Sequence, residues 1–351
     1  MPVRSVKIES RIVGDGQPCF VMAEIGINHN GDEALAHRMI DAIAEAGADC
    51  VKFQTFSAKE FMNGPDQQFD YVSQGKAVRE SMLDMFKRYE LAAETFERLF
   101  AHAREKGLVP LSTPTDIQAV ELLDRIGIGA FKIGSDDLVY TPFLEQVARK
   151  GRPVIISTGM ADAMDIDRAV ETLTAAGNDR LVILHCVSVY PTPDADVNLR
   201  RIESLRAQYP YPIGFSDHSA GITAALGSVA LGGCVIEKHF TLDRNLPGPD
   251  HHFSADLAEL TALVRELRRL EAHFGSARLH PARGEPEMAK IARRSIVFKR
   301  DLPAGHCVTD DDLGYRRPGN GLMPYERHRL LGRRLKNDVT AGTQAAPYMV
   351  G

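Results

Sequence analysis

Eight short apolar runs alternate with helix-like stretches over most of the chain, and this rhythm restricts the folds that it can adopt. Strands buried on both faces of a sheet have near-continuous apolar sequences, and helical spacers between them indicate parallel pairing. Eight such units, in a length of about 250 residues, predict a (β/α)8 TIM barrel. The runs are 19–26 (CFVMAEIG), 50–55 (CVKFQT), 108–114 (LVPLSTP), 130–135 (AFKIGS), 153–159 (PVIISTG), 181–187 (LVILHCV), 212–218 (PIGFSDH) and 234–240 (CVIEKHF).

Polar side chains collect at or near the C-terminal ends of these runs. In a barrel of this type the active site lies at that end of the strands. So many polar groups would destabilise an apolar core, and their positions predict a catalytic site instead. The residues are Glu24, Lys52, Gln54, Thr113, Lys132, Ser135, Ser157, His185, Ser216, His218 and His239.

The length and a change of composition predict a second, smaller domain. The chain has 351 residues, more than one domain of about 100–200 residues needs. A helical pattern over 257–274 is followed by a stretch with two prolines, two glycines and many charges. We therefore expect a catalytic barrel over 1–274, a linker over 275–291 and a small β-rich domain over 292–351, with strand-like segments at 295–298 and 344–349.

Composition excludes several classes of function. A net charge of −5 gives no general attraction to nucleic acids or membrane surfaces, so we expect neither as a partner. The five cysteines lack CxxC spacing, which favours buried, reduced thiols. The first ten residues have no apolar core of the signal-peptide kind, and no run is long enough to span a bilayer. We therefore expect a cytoplasmic protein.

The segment 56–91 is a long insertion between the second run and the next helix. Insertions of this length within a compact domain usually have a function. Its 82–89 portion (MLDMFKRY) has a helical pattern, and we expect it to lie over the mouth of the barrel.

Two histidines near the ends of the last two strands predict a metal site. Because side chains alternate along a strand, Ser216 shares a face with His218, and Glu237 shares a face with His239. Neutral imidazoles on neighbouring strands suit a divalent transition metal that keeps open positions for water or substrate. The alternative is that each histidine is only hydrogen-bonded to a neighbour.

Lys52 and Lys132 interrupt apolar runs, where an unpaired ammonium group is unfavourable. A Schiff-base nucleophile, an anion clamp and a structural ion pair are the three alternatives. Two lysines facing one cavity beside several hydroxyl groups favour a pocket for a small, multiply charged anion. Lys238 is one position from His239 and is expected to face outward in a structural role.

Glu24 ends the first run, and its carboxylate is either a general acid or base or the ion-pair partner of Lys52. Tyr190 lies in a stiff loop (YPTP) after the sixth run, and Asp250 lies in a loop (PGPDH) after the eighth. Each of these two loops would otherwise be interpreted as a rigid turn.

The chain resembles the sialic acid synthase family essentially from end to end. Its members condense phosphoenolpyruvate with an N-acetylated hexosamine aldehyde to form nonulosonic acids. The resemblance also implies that the C-terminal domain is a type III antifreeze-like (SAF) domain, which in a homodimer reaches across and caps the partner's barrel. The motifs that carry it, in order, are AEIGINHNG, VKFQ, FKIGS, ISTGM, LHCVSVYPTP, GFSDHS, GGCVIEKHFTLDRNLPGPDH and RRPGNG.

The resemblance also assigns roles to individual residues. It implies that His218 and His239 bind Mn2+, or another divalent ion such as Mg2+ or Co2+, and that Glu24, His218, His239 and Asp250 are catalytic. Phosphoenolpyruvate would be held by Lys52, Thr113, Lys132, Ser135, Ser157 and Ser216. The sugar would be held by Gln54, Tyr190, Asp250 and Arg317.

At one position the sequence departs from the family pattern, and this leaves the identity of the sugar substrate undecided. N-acetylneuraminate synthases carry an asparagine in the loop after the second strand, whereas here the corresponding stretch YVSQGKAVRESM contains Gln74. The expected reaction joins phosphoenolpyruvate to N-acetylmannosamine or a diacetamido-trideoxyhexose and releases phosphate by C–O cleavage. A legionaminate- or pseudaminate-type synthase is the alternative. A synthase extending a phosphorylated sugar and a non-catalytic binding protein are more remote ones.

Overall fold

Alternating strands and helices account for most of the chain, for which a computed structural model describes residues 4–64 and 66–351. The strands in chain order are β1 (Ser5–Ile8), β2 (Arg11–Gly14), β3 (Phe20–Gly26), β4 (Cys50–Thr55), β5 (Gln68–Ser73), β6 (Lys76–Ser81), β7 (Val109–Pro114), β8 (Phe131–Ile133), β9 (Val154–Ser157), β10 (Leu181–Cys186), β11 (Ile213–Asp217), β12 (Val235–His239), β13 (Ser295–Phe298) and β14 (Leu313–Arg316). The α-helices are α1 (Glu33–Glu45), α2 (Ala58–Phe61), α3 (Met82–Tyr89), α4 (Ala93–Glu105), α5 (Ile117–Arg125), α6 (Thr141–Arg149), α7 (Ala163–Ala175), α8 (Arg201–Gln208), α9 (Thr223–Ala230), α10 (Leu257–Phe274) and α11 (Glu285–Ala292).

A closed parallel barrel forms the centre of the first part of the chain. Its strands pair in the order β10-β11-β12-β3-β4-β7-β8-β9. Each of the eight apolar runs supplies one barrel strand, so the predicted (β/α)8 barrel is confirmed. The barrel strands are buried throughout, apart from the half-exposed Gln54, because helices cover the outer face and side chains fill the interior.

The strands end one or two residues earlier than the apolar runs predict at several places. The run 130–135 gives only Phe131–Ile133, and the run 153–159 gives Val154–Ser157. The residues beyond these ends are no longer part of a strand, although the backbone N–H of Thr158 still donates 3.0 Å to the backbone oxygen of Leu184. Ser135 therefore lies on a loop.

The insertion 56–91 folds into α2, an antiparallel hairpin of β5 and β6, and α3. The predicted helix over 82–89 is confirmed. Gln74 and Gly75 form the hairpin turn, both with positive φ, at 52° and 72°, as a two-residue hairpin connection requires. Phe56, Met85 and Tyr89 form a small apolar cluster with Ile27, separate from the barrel core.

The chain divides into two compact units, with the boundary between Gly275 and Ser276. In the second unit β13 and β14 pair antiparallel, and Ile296, Phe298 and Leu313 belong to a core of its own. The segment 344–349 was expected to be a strand but contributes only an isolated bridge from Gln344 to Val297, followed by a short 3-10 turn.

The expected linker 275–291 is partly helical, because α11 occupies its second half and extends to Ala292. Pro286 lies in the first turn of α11, where its missing N–H is not needed. Glu285 and Glu287 lie in the same turn and favour the positive end of the helix dipole. Proline here therefore starts a helix instead of preventing one.

No helix within 4–64 and 66–351 is both long and apolar enough to cross a membrane.

Candidate active site

A cavity of about 480 Å3 opens among the C-terminal ends of the barrel strands. It brings together eleven of the thirteen residues to which the family resemblance assigned roles. His185, which the strand pattern also predicted for the site, does not line the cavity, and its Nε2 is 2.6 Å from the backbone oxygen of Val197. Asp250 does not line this cavity, and Arg317 belongs to the second unit, where it is exposed. The eleven are Glu24, Lys52, Gln54, Thr113, Lys132, Ser135, Ser157, Tyr190, Ser216, His218 and His239.

Lys52 lies at the base of the cavity between two carboxylates. Its Nζ is 2.6 Å from Glu24 Oε2 and 3.9 Å from Glu237 Oε2, and it donates a hydrogen bond of 2.9 Å to Thr113 Oγ1. Pairing of β3 with β4 aligns Glu24 with Lys52. The ion-pair interpretation of Glu24 is therefore observed, and its place in the cavity is equally compatible with proton transfer.

Lys132 is buried near the same carboxylate, Glu237. Its Nζ donates 2.8 Å to the backbone oxygen of Ile133 and is 3.8 Å from Glu237 Oε2. Burial lowers the pKa of Lys132 below its ordinary value despite the opposing attraction of Glu237. The two lysines flank one carboxylate, so they face the same space, as the anion-pocket interpretation requires.

Glu237 is a buried carboxylate of the cavity lining that the sequence reasoning did not select. It is 7% exposed, and its Oε1 accepts a hydrogen bond of 2.7 Å from Ser216 Oγ. Burial alone would raise its pKa, but Lys132 and Lys52 outweigh burial and lower the pKa to about 2. The available signal was the alternation that places Glu237 on the same face of its strand as His239.

Glu24 differs from Glu237, because burial outweighs the effect of the lysines on its pKa. Burial raises its pKa, and although Lys52 lowers it, the result is a pKa of about 7. For Lys52, burial lowers the pKa, but Glu24 and Glu237 overcome that effect and the pKa is raised. At neutral pH Lys52 is therefore protonated, and Glu24 exists in both forms, as a proton-transferring group requires.

Serine hydroxyls surround the lysines. Ser157 Oγ is buried and has no hydrogen-bond partner among the described residues, whereas Ser135 Oγ accepts 2.9 Å from the backbone N–H of Gly159. A Cβ at Gly159 would lie 2.2 Å from Ser188 Oγ, so glycine permits this close approach. The hydroxyls and lysines together form a donor-rich pocket.

His218 directly follows β11 and His239 ends the neighbouring strand β12, with the two ring centroids 5.5 Å apart. His218 Nδ1 is 2.9 Å from the backbone oxygen of Val187. His239 Nδ1 is buried without a hydrogen-bond partner within the described part of the chain. Burial lowers the pKa of His239, and electrostatic repulsion from the neighbouring His218 lowers it further. The pKa therefore lies well below its ordinary value, and this imidazole is neutral. For His218, burial lowers the pKa, but Cys186 and the backbone oxygen of Val187 outweigh burial and raise it. The unpaired nitrogen of neutral His239 beside the imidazole of His218 fits the donor set that a divalent ion needs.

No group of three or more histidine, cysteine or acidic side chains within 4–64 and 66–351 is arranged to hold a metal. A divalent ion at this place would have His218 and His239 as its protein ligands, with its other positions filled by water or substrate.

Tyr190 borders the histidines, with its ring centroid 4.1 Å from that of His218 and 6.2 Å from that of His239. Phe253 packs against both Tyr190 and His239, at 5.3 and 5.1 Å. These aromatic rings fix the orientation of the imidazoles.

Asp250 lies in the loop after β12, behind this aromatic pair. Its backbone oxygen accepts 2.6 Å from Ser254 Oγ, and Asn28 donates to the same hydroxyl at 3.0 Å. Burial raises the pKa of Asp250 to about 6. The loop is thus firmly held, while the role predicted for Asp250 stays a prediction.

Lys238 faces away from the cavity. Its Nζ is 2.9 Å from Asp217 Oδ2 and donates 2.8 Å to the backbone oxygen of Ser219. The structural role predicted for Lys238 is confirmed.

Comparison with known proteins identifies the family. The NeuB family model matches residues 39–278, and the SAF domain model matches residues 293–350. The chain belongs to the NeuB family. The expected family resemblance and the C-terminal SAF domain are therefore both confirmed.

Relatives of this NeuB family member include nonulosonic acid synthases. The N,N'-diacetyllegionaminic acid synthase of Legionella pneumophila is 39% identical over 94% of both chains. The human N-acetylneuraminate-9-phosphate synthase is 35% identical, over 95% of this chain and 93% of its own. The crystal structure of N-acetylneuraminic acid synthetase from Leptospira borgpetersenii, in complex with citrate, has a TM-score of 0.74 and 35% identity, over 82% of this chain and 95% of that one.

Proposed function

We propose that this chain condenses phosphoenolpyruvate with the open-chain form of an N-acetylated hexosamine, forming a nine-carbon nonulosonic acid and releasing phosphate. The observation that carries the proposal is the pair of buried lysines, Lys52 and Lys132, facing one cavity beside the two histidines. The relatives named above support the same class of reaction.

The lysines and hydroxyls supply a site for the anion. Phosphoenolpyruvate carries a carboxylate and a phosphate, and both groups favour ammonium and hydroxyl donors. Lys52, Lys132, Ser157 and Ser216 are already in place before a ligand arrives, so little reorganisation is needed. Thr113 fixes the position of Lys52 by accepting its hydrogen bond.

The proposed reaction forms one C–C bond and breaks one C–O bond. The C3 carbon of phosphoenolpyruvate attacks the aldehyde carbon of the sugar, which forms the new C–C bond and leaves positive charge at C2. The aldehyde oxygen becomes an alkoxide and takes up a proton, while water adds at C2 and loses one. The C2–O bond to phosphate then breaks, the electron pair leaves with phosphate, and the C2 hydroxyl gives its proton to the phosphate and becomes a carbonyl.

The histidines and Glu24 serve the sugar. A divalent ion, Mn2+ or another such as Mg2+ or Co2+, held by His218 and His239, would supply Lewis-acid polarisation of the aldehyde oxygen. Glu24, with its pKa of about 7, would move a proton during opening of the sugar ring or addition of water. Tyr190 and Gln54 would contact the sugar from the rim of the same cavity.

We also propose that the second unit caps the barrel of a partner in a homodimer, with Arg317 directed at the acylamino group of the sugar. Residues 276–351 contain 14 lysines and arginines against 8 acidic residues, whereas residues 1–275 contain 28 against 39. These opposite net charges favour association of one unit with the other. Arg317 is exposed and so accessible to a partner.

The direct test is to incubate the protein with phosphoenolpyruvate, Mn2+ and a panel of N-acetylated hexosamines, and to identify products by mass spectrometry. We expect phosphate release only when both substrates are present. We also expect a product whose sugar-acid backbone contains nine carbons. Consumption of phosphoenolpyruvate without a sugar, or no consumption with any sugar of the panel, would contradict the proposal.

A further inference from the structure

Two cysteines lie side by side at the N-terminal ends of neighbouring barrel strands, at the opposite rim from the candidate active site. Cys19 directly precedes β3, and Cys234 directly precedes β12. The two strands pair in parallel with Phe20 opposite Val235, and the backbone N–H of Phe20 donates 2.9 Å to the backbone oxygen of Cys234. The two cysteines therefore lie opposite each other, one position before the first pair of the ladder.

Both thiols point to the same side of the sheet. Glu24 on β3 and Glu237 on β12 line the candidate active site. Cys19 and Cys234 are an odd number of residues away from them along the chain, so both face outward, towards the helices. There they line a second cavity of about 510 Å3, which Phe274 of α10 also borders.

We propose that Cys19 and Cys234 form a binding site for a soft monovalent metal ion, Cu(I) or Ag(I), held in a line between the two sulfur atoms. An ion of this class is satisfied by two sulfur ligands, whereas structural Zn2+ takes four ligands. The site is separate from the candidate active site, because Cys234 precedes His239 by five residues, about 16 Å along a strand. It is therefore independent of the proposed function.

The spacing of parallel strands favours an ion between the two sulfurs. Neighbouring strands are about 4.7–4.9 Å apart, and because the two side chains leave them in the same direction, the sulfurs have a similar separation. Two metal–sulfur bonds of about 2.3 Å placed end to end span about 4.6 Å. A direct disulfide needs Cβ atoms about 3.5–4.5 Å apart, closer than this spacing. Both cysteines are free thiols in the structure.

The protonation state of the thiols selects the class of ion. Burial raises the pKa of Cys19 well above its ordinary value, and the neighbouring Cys234 raises it further. Burial likewise raises the pKa of Cys234, to about 12. Both thiols are therefore protonated at neutral pH, and only an ion that bonds strongly to sulfur displaces their protons. Hard ions such as Mg2+ and Mn2+, which prefer oxygen ligands, are excluded.

Binding of one ion releases two protons, one from each thiol, and changes no oxidation state. The proton that Cys234 gives up is the one that its Sγ donates, over 3.2 Å, to the backbone oxygen of Ile213. The two new metal–sulfur bonds replace this hydrogen bond and the two S–H bonds.

The second cavity gives an ion a route to both sulfurs. Cys19 and Cys234 are 3% and 6% exposed, and both contribute to the lining of the cavity. Gly16 borders the same cavity, and a Cβ there would have no heavy atom within 4 Å, so the cavity is open at this point. An ion therefore reaches the thiols without a rearrangement of the barrel strands.

The test is the transfer of Cu(I), without oxygen, from its coloured complex with bathocuproine disulfonate to the protein. Loss of colour counts the ions that the protein takes up. Cys19→Ala and Cys234→Ala should each lower the uptake by one ion per chain, because a single thiol cannot hold the ion in a line. Their circular dichroism should match that of the wild type, since buried cysteine behaves as a small apolar residue.

The control is a variant that carries both Cys186→Ala and Cys307→Ala. Cys307 is an exposed thiol, and Cys186 Sγ is 3.8 Å from His218 Nδ1, where a soft ion would find one sulfur and one nitrogen. The control should still take up one ion, and adding Cys19→Ala to it should abolish that uptake. No uptake by the control, or uptake that Cys19→Ala leaves unchanged, would overturn the inference.

X-ray absorption by the Cu(I)-loaded control gives an answer that does not depend on the folding of the Cys19 and Cys234 variants. We expect two sulfur atoms at about 2.3 Å from the ion. One sulfur with nitrogen or oxygen neighbours would contradict the site. An intact mass that is lower by two hydrogens and contains no copper would mean that the thiols form a disulfide instead, and would also overturn the inference.

Discussion

Replacing Glu237 by glutamine should destabilise the barrel through the two lysines that flank it. Glu237 is the carboxylate within ion-pair distance of Lys132 in the described part of the chain, and it is also 3.9 Å from Lys52. The substitution keeps the shape of the side chain and removes its charge. Two buried ammonium groups are then left with Glu24 as their remaining carboxylate neighbour.

The magnitude follows from the pKa of Glu237, which falls from 4.5 to about 2 on folding. A lowered pKa means that the ionised form is more stable in the folded state than in the unfolded chain. Stabilisation is therefore present above pH 4.5 and is lost as the pH falls through about 2. The difference corresponds to about 3 kcal/mol of unfolding free energy at neutral pH, and removal of one partner of a buried ion pair commonly costs about 3–5 kcal/mol.

Urea unfolding followed by far-ultraviolet circular dichroism measures this difference, because most helices belong to the barrel unit. Glu237→Gln should lower the free energy of unfolding by about 3 kcal/mol at neutral pH. The difference in unfolding free energy from the wild type should shrink as the pH is lowered from 4.5 towards 2. The matched control is Glu145→Gln, which removes an exposed carboxylate 3.3 Å from Arg149 and should have a far smaller effect. Equal effects of the two substitutions, or a gap that does not change with pH, would refute this reasoning.

Further predictions concern the chemistry. Lys52→Met or Lys132→Met should weaken the use of phosphoenolpyruvate by about 2–5 kcal/mol, measured as kcat/KM; trapping of a pyruvyl-lysine adduct by borohydride would instead support a Schiff base. His218→Ala or His239→Ala should abolish phosphate release, and a chelator should inactivate the wild type until Mn2+ is restored; full turnover in excess chelator would exclude the metal site. Arg317→Ala should raise KM for the sugar while circular dichroism stays unchanged, and an unaltered KM would count against capping by the second unit.

The barrel could be predicted from the sequence because its strands are buried on both faces. An apolar run such as 181–187 has the same sequence pattern wherever the neighbouring strands lie, so its identity as a strand needs no tertiary information. The position of the cavity could be predicted from the same pattern, because all barrel strands end at the same rim of the barrel. The lysines and histidines were identifiable because each interrupts or ends an apolar run.

What the sequence did not predict depends on tertiary contacts. Helix α9 begins after Ile222 without a side-chain cap, and the hydroxyl of the nearby Ser219 donates to Asp217 instead. Glu237 has the sequence context of a core residue, and only the positions of Lys52 and Lys132 give it a role. The position of Asp250 outside the cavity follows from the path of a loop fixed by Asn28.

The part of the cavity lining that the insertion 56–91 contributes was also only partly predictable. The helical pattern of 82–89 placed a helix in the insertion, and Met82 and Phe86 do line the cavity. That Phe69 joins them depends on the register of β5 with β6, which is set by the turn at Gln74 and Gly75. A two-residue turn of this kind is recognised only once the strands beside it are known.

The most direct test of the central proposal follows one oxygen atom. Phosphoenolpyruvate labelled with 18O at the oxygen that bridges C2 and phosphorus is incubated with the protein, Mn2+ and the sugar that the panel identifies. Condensation with C–O cleavage predicts that the label appears in the released phosphate and that the new nonulosonic acid contains none. Label retained at C2 of the product, or phosphate released at the same rate when the sugar is omitted, would contradict the account.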